Sequence, residues 1–346
     1  MLKRTQFKNI KPRLSICLYF LGLWFAPYCL AGETWTFEFL PQLWYGSYQD
    51  SLTRDSIVSY GFFSSAEYLE QGGFTFGYNQ SNIAGKAGAA DVIGADIEET
   101  ALFLSGQYTI FSDALPGKFT FRLDGYSIKD ENTITETTTQ PGGGMGGNDR
   151  AITVSTTYTD NIAAGFAQLS FSDYAEKYYL DIGYANTSYD YDSADVARDN
   201  DVQQITPTAG LAFNQQYDWL QARAYLIRLQ HGDNTNNQKS SNALEIQWTH
   251  WFDKQAPLGL DSIGINTVIG ERISAVDPDA GEIYSLSDRQ NNSISLVMNW
   301  QPNEQLGVST VVGYDEYTDF LANESELLTE DDYNIVYAYV NLSIVW

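Results

Sequence analysis

A hydrophobic period of two recurs along nearly the whole chain, and it constrains the fold more than any other feature. Trp35, Phe37, Phe39, Leu43 and Tyr45 fall on one side of an extended segment, and Thr36, Glu38 and Gln42 on the other. Phe119, Phe121 and Leu123 likewise alternate with Thr120, Arg122 and Asp124, and Leu244, Ile246 and Trp248 with Glu245, Gln247 and Thr249. Successive side chains of a strand point to opposite faces, so each run reads as a strand with one apolar and one polar face. Fourteen such runs fall at approximately 34–48, 56–68, 73–80, 99–111, 118–128, 152–171, 177–189, 203–213, 218–230, 242–252, 261–271, 289–300, 305–315 and 333–346.

The connections alternate as well. Those after even-numbered strands are mostly short (LEQGG, SDALPG, SDYAE, NQQYD, QPNE), and those after odd-numbered strands are mostly long and acidic. A soluble sandwich has no reason to segregate its connections in this way. An up-and-down transmembrane barrel does, with tight periplasmic turns and long outer loops. Only a closed sheet satisfies every backbone group in hydrocarbon, and lipid places the apolar faces outside and the polar ones inside. The fold class predicted is all-β, a transmembrane antiparallel up-and-down barrel of about 14 strands.

Residues 1–31 read as a cleaved secretory signal peptide, leaving 32–346 as a single barrel domain. Five basic residues precede an apolar core from Ile16 to Ala26, shorter than the roughly 20 residues of a spanning helix. Pro27 then stops any helix, and Cys29-Leu30-Ala31 supplies small residues for cleavage before Gly32. Both cysteines, Cys17 and Cys29, lie in this leader, so the rest of the chain offers neither disulfide nor thiol nucleophile. The net charge of −25 excludes nucleic acid as a partner, because phosphate repulsion would dominate.

The last strand, YNIVYAYVNLSIVW, places Val336, Ala338, Val340, Leu342, Ile344 and the terminal Trp346 on one face. An apolar alternating final strand ending in an aromatic residue resembles the closing strand of Gram-negative outer-membrane β-barrel proteins. That resemblance covers essentially the whole chain at superfamily level. Fourteen strands is a size shared by long-chain fatty-acid transporters and monomeric gated porins, and no motif assigns the chain to either. The resemblance implies location in the outer membrane, contact with its lipid and lipopolysaccharide, and insertion by the barrel-assembly machinery, with Trp346 in the assembly signal.

The polar strand faces supply the pore-lining candidates: Glu38, Glu67, Arg122, Asp124, Asp181, Arg223 and Glu245. Arg223 and Glu245 lie on sequential strands and could pair on the lumen wall, either as charge compensation or as a constriction that contacts solute. Two acidic clusters, Asp190, Asp192 and Asp195, and Asp277, Asp279 and Glu282, place hard oxygen ligands close together. They read either as solvated outer loops or as sites for Ca2+ or Mg2+. No other cofactor is expected. The Gly142–Gly147 run matches G-x-G-x-x-G but leads into a strand rather than a helix, so it reads as a flexible loop. No catalytic residue is assigned. Neither His231-Gly-Asp233 nor His250-Trp-Phe252 places a serine two residues after the histidine, and neither histidine has an aspartate two residues before it.

These features favour a porin-like channel for small polar solutes over an enzyme. The seven outer connections hold 25 acidic residues against seven basic ones, so a cation preference that weakens at high salt is expected. The alternative is a non-conducting barrel acting in surface assembly, adhesion or partner binding through long acidic loops.

Overall fold

The structure, a computed structural model, describes residues 35–86, 95–111, 114, 116–140, 150–191, 200–230, 238–253, 256, 259–279, 282–283, 288–322 and 328–346. The segment 1–31 expected to be a leader and the expected cleavage point lie outside these residues, as do Asp192, Asp195, His231 and the Gly142–Gly147 run.

Among the described residues, the barrel strands are β1 (Trp35–Gln49), β2 (Arg54–Tyr68), β3 (Gly72–Gly85), β4 (Ala95–Ile110), β5 (Gly117–Gln140), β6 (Arg150–Asp173) and β7 (Tyr178–Tyr191). They continue with β8 (Asn200–Phe213), β9 (Asp218–Leu229), β10 (Ser240–Trp251) and β11 (Leu260–Arg272). A short hairpin, β12 (Val276–Asp277) and β13 (Glu282–Ile283), precedes β14 (Arg289–Asn303), β15 (Leu306–Ala322) and β16 (Leu328–Val345). Each barrel strand pairs with the next, and β16 returns to β1, closing a 14-stranded antiparallel barrel. The hairpin is a separate sheet of two strands.

Closure is set by the register Leu43↔Val340 and Tyr45↔Ala338. Trp346 completes it just past β16: its N–H donates to the Phe37 carbonyl and its own carbonyl accepts from Phe37 N–H, both at 3.0 Å. The two rings stack with centroids 6.3 Å apart. Closure removes the sheet edge, so every lipid-facing backbone group can find a partner within the wall.

The outward face is apolar and exposed, as a hydrocarbon belt must be: Leu104, Leu123, Ile182, Ile294 and Leu342 all lie on it. The turn end is tight. Leu69 and Glu70 both have positive φ (47° and 57°), and Gln71 N–H donates to the Tyr68 carbonyl at 2.8 Å. Two consecutive left-handed residues in this three-residue connection match the twist of the strands it joins. At the next turn but one, Asp173 accepts from the backbone N–H groups of Lys177 and Tyr178 at 2.6 and 2.7 Å.

The loop end departs from expectation in two ways. Strands β5 and β6 run to Gln140 and Arg150, and β15 and β16 to Ala322 and Leu328, so much of 129–151 and 316–332 is ladder rather than loop. Cross-strand pairing continues past the membrane because it satisfies backbone groups equally well in water.

The segment after β11 is the second departure. It was expected to be a solvated acidic loop, and it folds into the barrel instead. Ile273, Ser274, Ala275, Val276 and Pro278 are all buried. The turn inward begins at Gly270, whose φ of 104° coincides with the register shift between Ile269 and Arg272. A Cβ at Gly270 would lie 2.6 Å from the Asn242 carbonyl oxygen, so only glycine fits this bulge.

Candidate functional site

The lumen is built from alternate positions of every strand, and the inward segment divides it. On the β5–β11 side, Ile273, Ala275 and Val276 pack with Tyr126, Ile162, Phe166, Tyr189, Tyr225 and Val268 into an apolar core inside the barrel. Polar tethers hold the segment down. Gln204 bonds both backbone groups of Val276, donating to its carbonyl at 2.7 Å and accepting from its N–H at 3.0 Å. Tyr189 Oη donates to the Ser274 carbonyl at 3.3 Å, and Arg122 Nη2 to the Pro278 carbonyl at 2.9 Å.

Several residues singled out in the sequence meet beneath this segment. The register aligns Asp181 with Thr208, Thr208 with Arg223, and Arg223 with Glu245 in one lateral row around the wall. Arg223 Nη1 lies 3.6 Å from Glu245, its Nη2 lies 2.8 Å from Asp279 of the inward segment, and its Nε donates to Thr208 Oγ1 at 3.1 Å. Glu245 also accepts from Tyr225 Oη at 2.7 Å and from Gln247 and Asn266, both at 2.9 Å. Arg122 forks onto Asp124 through Nε and Nη2, both at 2.8 Å, and Tyr126 Oη donates to the same carboxylate at 3.2 Å. Arg272 lies 3.7 Å from Asp277 and packs over the Tyr225 ring at 4.9 Å. Buried charges need both a counter-charge and filled hydrogen bonds, and these arginines provide that for the acids of the segment.

Asp277 and Asp279, read from sequence as loop carboxylates or metal ligands, therefore face lumen arginines. Asp190 is exposed on β7, and among the described residues no cluster of metal-ligating side chains is placed to hold an ion. Glu38 and Glu67 sit apart, half-buried near the turn end on β1 and β2, where Ser343 Oγ donates to Glu38 at 2.6 Å. His250 lies at the turn end on the outer face, 2.9 Å from Asp218.

The other side of the lumen is open. A cavity of about 410 Å³ lies between β1–β5 and β14–β16. Much of its wall is aromatic and aliphatic, with Trp44, Phe63, Phe103, Tyr317, Tyr333 and Tyr337 among the rings and Ile57, Ile83, Ile128 and Ile335 among the aliphatic side chains. Two rings lie flat against the wall because glycines face them. A Cβ at Gly77 would come within 2.5 Å of the Phe63 ring, and one at Gly313 within 2.2 Å of the Tyr337 ring. Tyr339 Oη and Gln42 form a polar edge, joined at 2.8 Å.

Charged groups frame the loop end of this chamber. Arg54 forks onto Asp288, donates to Tyr333 Oη at 2.7 Å, and lies 3.5 Å from Asp319. Asp331 holds the β1–β2 turn by accepting from Leu52 N–H at 3.0 Å and from Ser51 Oγ at 3.3 Å. Next to this cap, Glu99, Asp130 and Asp160 occupy paired positions on β4, β5 and β6, directly above the apolar tier of Ala101, Ile128 and Ile162. Lys129 and Glu131, which flank Asp130 and face outward, form a half-exposed ion pair at 2.7 Å, so this level stands above the hydrocarbon. Burial, followed by the fields of Glu99 and Asp160, pushes the Asp130 carboxyl up to about 8.

Parity along the strands points to Glu38, Glu67, Arg122, Asp124, Asp181, Arg223 and Glu245, but not to Glu99, Asp130, Asp160, Asp288 or Asp315. The chamber and the tethers were not found that way, because attention to the outward apolar face hides a second apolar set. Tyr333, Ile335, Tyr337 and Tyr339 alternate with Val336, Ala338 and Val340, so β16 is apolar on both faces. A strand apolar on both faces in a barrel of this size is the signal that the lumen is not uniformly polar.

A closed 14-stranded meander with an apolar outer belt, a mixed lumen and an inward-folded segment defines a transmembrane β-barrel of the outer-membrane type. Solved structures share this fold. The Ralstonia pickettii toluene transporter TbuX matches with a TM-score of 0.52 at 8% identity, covering 91% of this chain and 90% of that one. The Pseudomonas putida toluene transporter TodX matches with a TM-score of 0.51 at 10% identity, over 91% and 90% of the two chains. No family model and no curated protein sequence matches the chain.

Proposed function

We propose that this protein is an outer-membrane channel that admits small solutes with an apolar or aromatic body through a lumen narrowed by the segment after β11. The observation that carries this reading is the aromatic chamber. Its volume of about 410 Å³ suits one small molecule, since ligand sites run from about 300 to 1,000 Å³. A purely aqueous pore gains nothing from rings seated on glycines. The reading also agrees with the cargo named for the two toluene transporters of the same fold.

On this reading the chain is exported and inserted by the barrel-assembly machinery, with its loop end toward lipopolysaccharide, and it carries out no reaction. Purified barrel in detergent should bind small aromatic molecules in titration calorimetry, and a chamber-filling Ala101→Phe change should abolish that binding. Equal binding to both proteins would refute the reading.

A second reading, a cation-preferring path for small polar solutes, is supported by the row Glu99, Asp130 and Asp160 at the loop end. It differs from the sequence expectation in one respect. Arg54, Arg272, Asp277, Asp279, Asp319 and Asp331 were counted with the outer rim but are internal or half-buried, so lumen acids would set the preference. Anion preference in the reversal potential under a low-salt KCl gradient would count against it.

A further inference from the structure

The chamber wall combines aromatic rings with carboxylates and, among the described residues, contains no Lys, Arg or His. Its acids are Glu99, Asp288 and Asp315. Asp288 is already matched by Arg54 and Tyr333. Asp315 differs. It is 9% exposed, its Oδ2 accepts from Tyr317 Oη at 3.3 Å, and its Oδ1 has no hydrogen-bond partner. The base whose field reaches Asp315 is Arg272, and that guanidinium is held by Gln290 at 2.8 Å, by Asp277 at 3.7 Å and against the Tyr225 ring. A buried carboxylate without a full set of partners is costly, and a ligand that completes the set recovers that free energy.

Ring faces carry negative potential and attract cations, most strongly where water is excluded. The approach from the loop end has the same sign. Glu99 borders the chamber, and the same row continues through Asp130 to the Asp160 carboxylate. A carboxylate-bearing solute would meet acids along this route with no base on the chamber wall to receive it. A neutral aromatic would leave Asp315 as it is. A solute with an apolar body and an ammonium head matches both the rings and the Asp315 carboxyl on the same wall.

We propose that the chamber selects small organic cations, an aromatic or alkyl body carrying one ammonium group, with Asp315 as the counter-charge and the tyrosine faces as the cage. This inference rests on the reading of the chamber as the solute site. The test compares three molecules of similar size on the full barrel in detergent by titration calorimetry: 2-phenylethylammonium, 2-phenylethanol and 3-phenylpropionate. The ammonium should bind about tenfold or more tighter than the alcohol, an advantage in the range of a desolvated cation–π contact, with the anion weakest. Asp315→Asn should remove most of the ammonium's advantage over the alcohol.

Equal binding of ammonium and alcohol to the unmodified protein would overturn the cation proposal and leave the chamber reading standing. An ammonium advantage that persists in Asp315→Asn would overturn it as well. Absence of binding by all three would remove the chamber reading itself. If Asp315→Asn fails to fold, the three-ligand comparison on the unmodified protein still decides between a cation site and a neutral one.

Discussion

Replacing Gln204 tests whether the inward segment is what narrows the lumen. One side chain satisfies both backbone groups of Val276, at 2.7 and 3.0 Å, in a residue that is 1% exposed. Gln204→Leu keeps the approximate volume and removes both partners. Each buried polar group left unsatisfied costs about 1–3 kcal/mol, so the docked arrangement loses about 2–6 kcal/mol. At about 1.4 kcal/mol per factor of ten, the undocked population rises between about 30-fold and about 10⁴-fold. The assay is alkylation of a cysteine introduced by Val276→Cys, read on the peptide containing position 276 and compared with and without Gln204→Leu. Where opening and closing are faster than labelling, the rate follows the open population. Labelling should accelerate at least 30-fold, by the lower bound of the same estimate, and single-channel conductance should rise as the segment leaves the lumen. Equal labelling rates in the two backgrounds would refute the reasoning, because the two hydrogen bonds would then not hold the segment in place.

Three other perturbations have defined outcomes. Arg223→Met removes the buried ion pair with Glu245, and breaking such a pair costs up to about 3–5 kcal/mol; the temperature of heat-modification on gels should fall and cation selectivity should rise. Trp346→Asp removes the ring stacked on Phe37 and places a charge at the closing seam, so membrane-inserted, heat-modifiable protein should drop; normal levels would count against a terminal assembly signal. Asp130, with its carboxyl pushed up to about 8, stays protonated in the folded barrel at neutral pH and ionises above that value. The unfolded carboxyl ionises near 3.8, so between there and about pH 8 the folded state holds the extra proton and this group's contribution to stability declines as pH rises. Cation selectivity should step up across pH 8, and Asp130→Asn should abolish the step.

How much of this was legible in advance depends on the range over which each feature is decided. The fourteen strands were found with boundaries mostly within a few residues of those observed, because alternation is written locally and lipid enforces it on the outward face. Errors cluster at the loop end. The segments at 129–151 and 316–332 are rich in Thr, Glu and Asp, which suits an exposed ladder as well as an exposed loop, so composition could not separate the two. Gly270 was a visible signal for a bulge, but a glycine near the end of a strand does not say in which direction the chain turns.

The amino-acid sequence by itself determined a closed meander of about fourteen strands and which ends carry turns and loops. Each follows from a period of two read within a dozen residues. The tertiary structure alone decided that Asp181, Thr208, Arg223 and Glu245 share one row, since a row sums the register of several strand pairs and a one-residue slip in any of them would break it. It alone decided that residues 273–279 enter the lumen, because Asp277 and Asp279 are tolerable inside only where Arg272 and Arg223, on the strand before the segment and on β9, already stand to meet them. The chamber is what remains on the far side: rings from strands at both ends of the chain, gathered into one wall only when β16 pairs with β1.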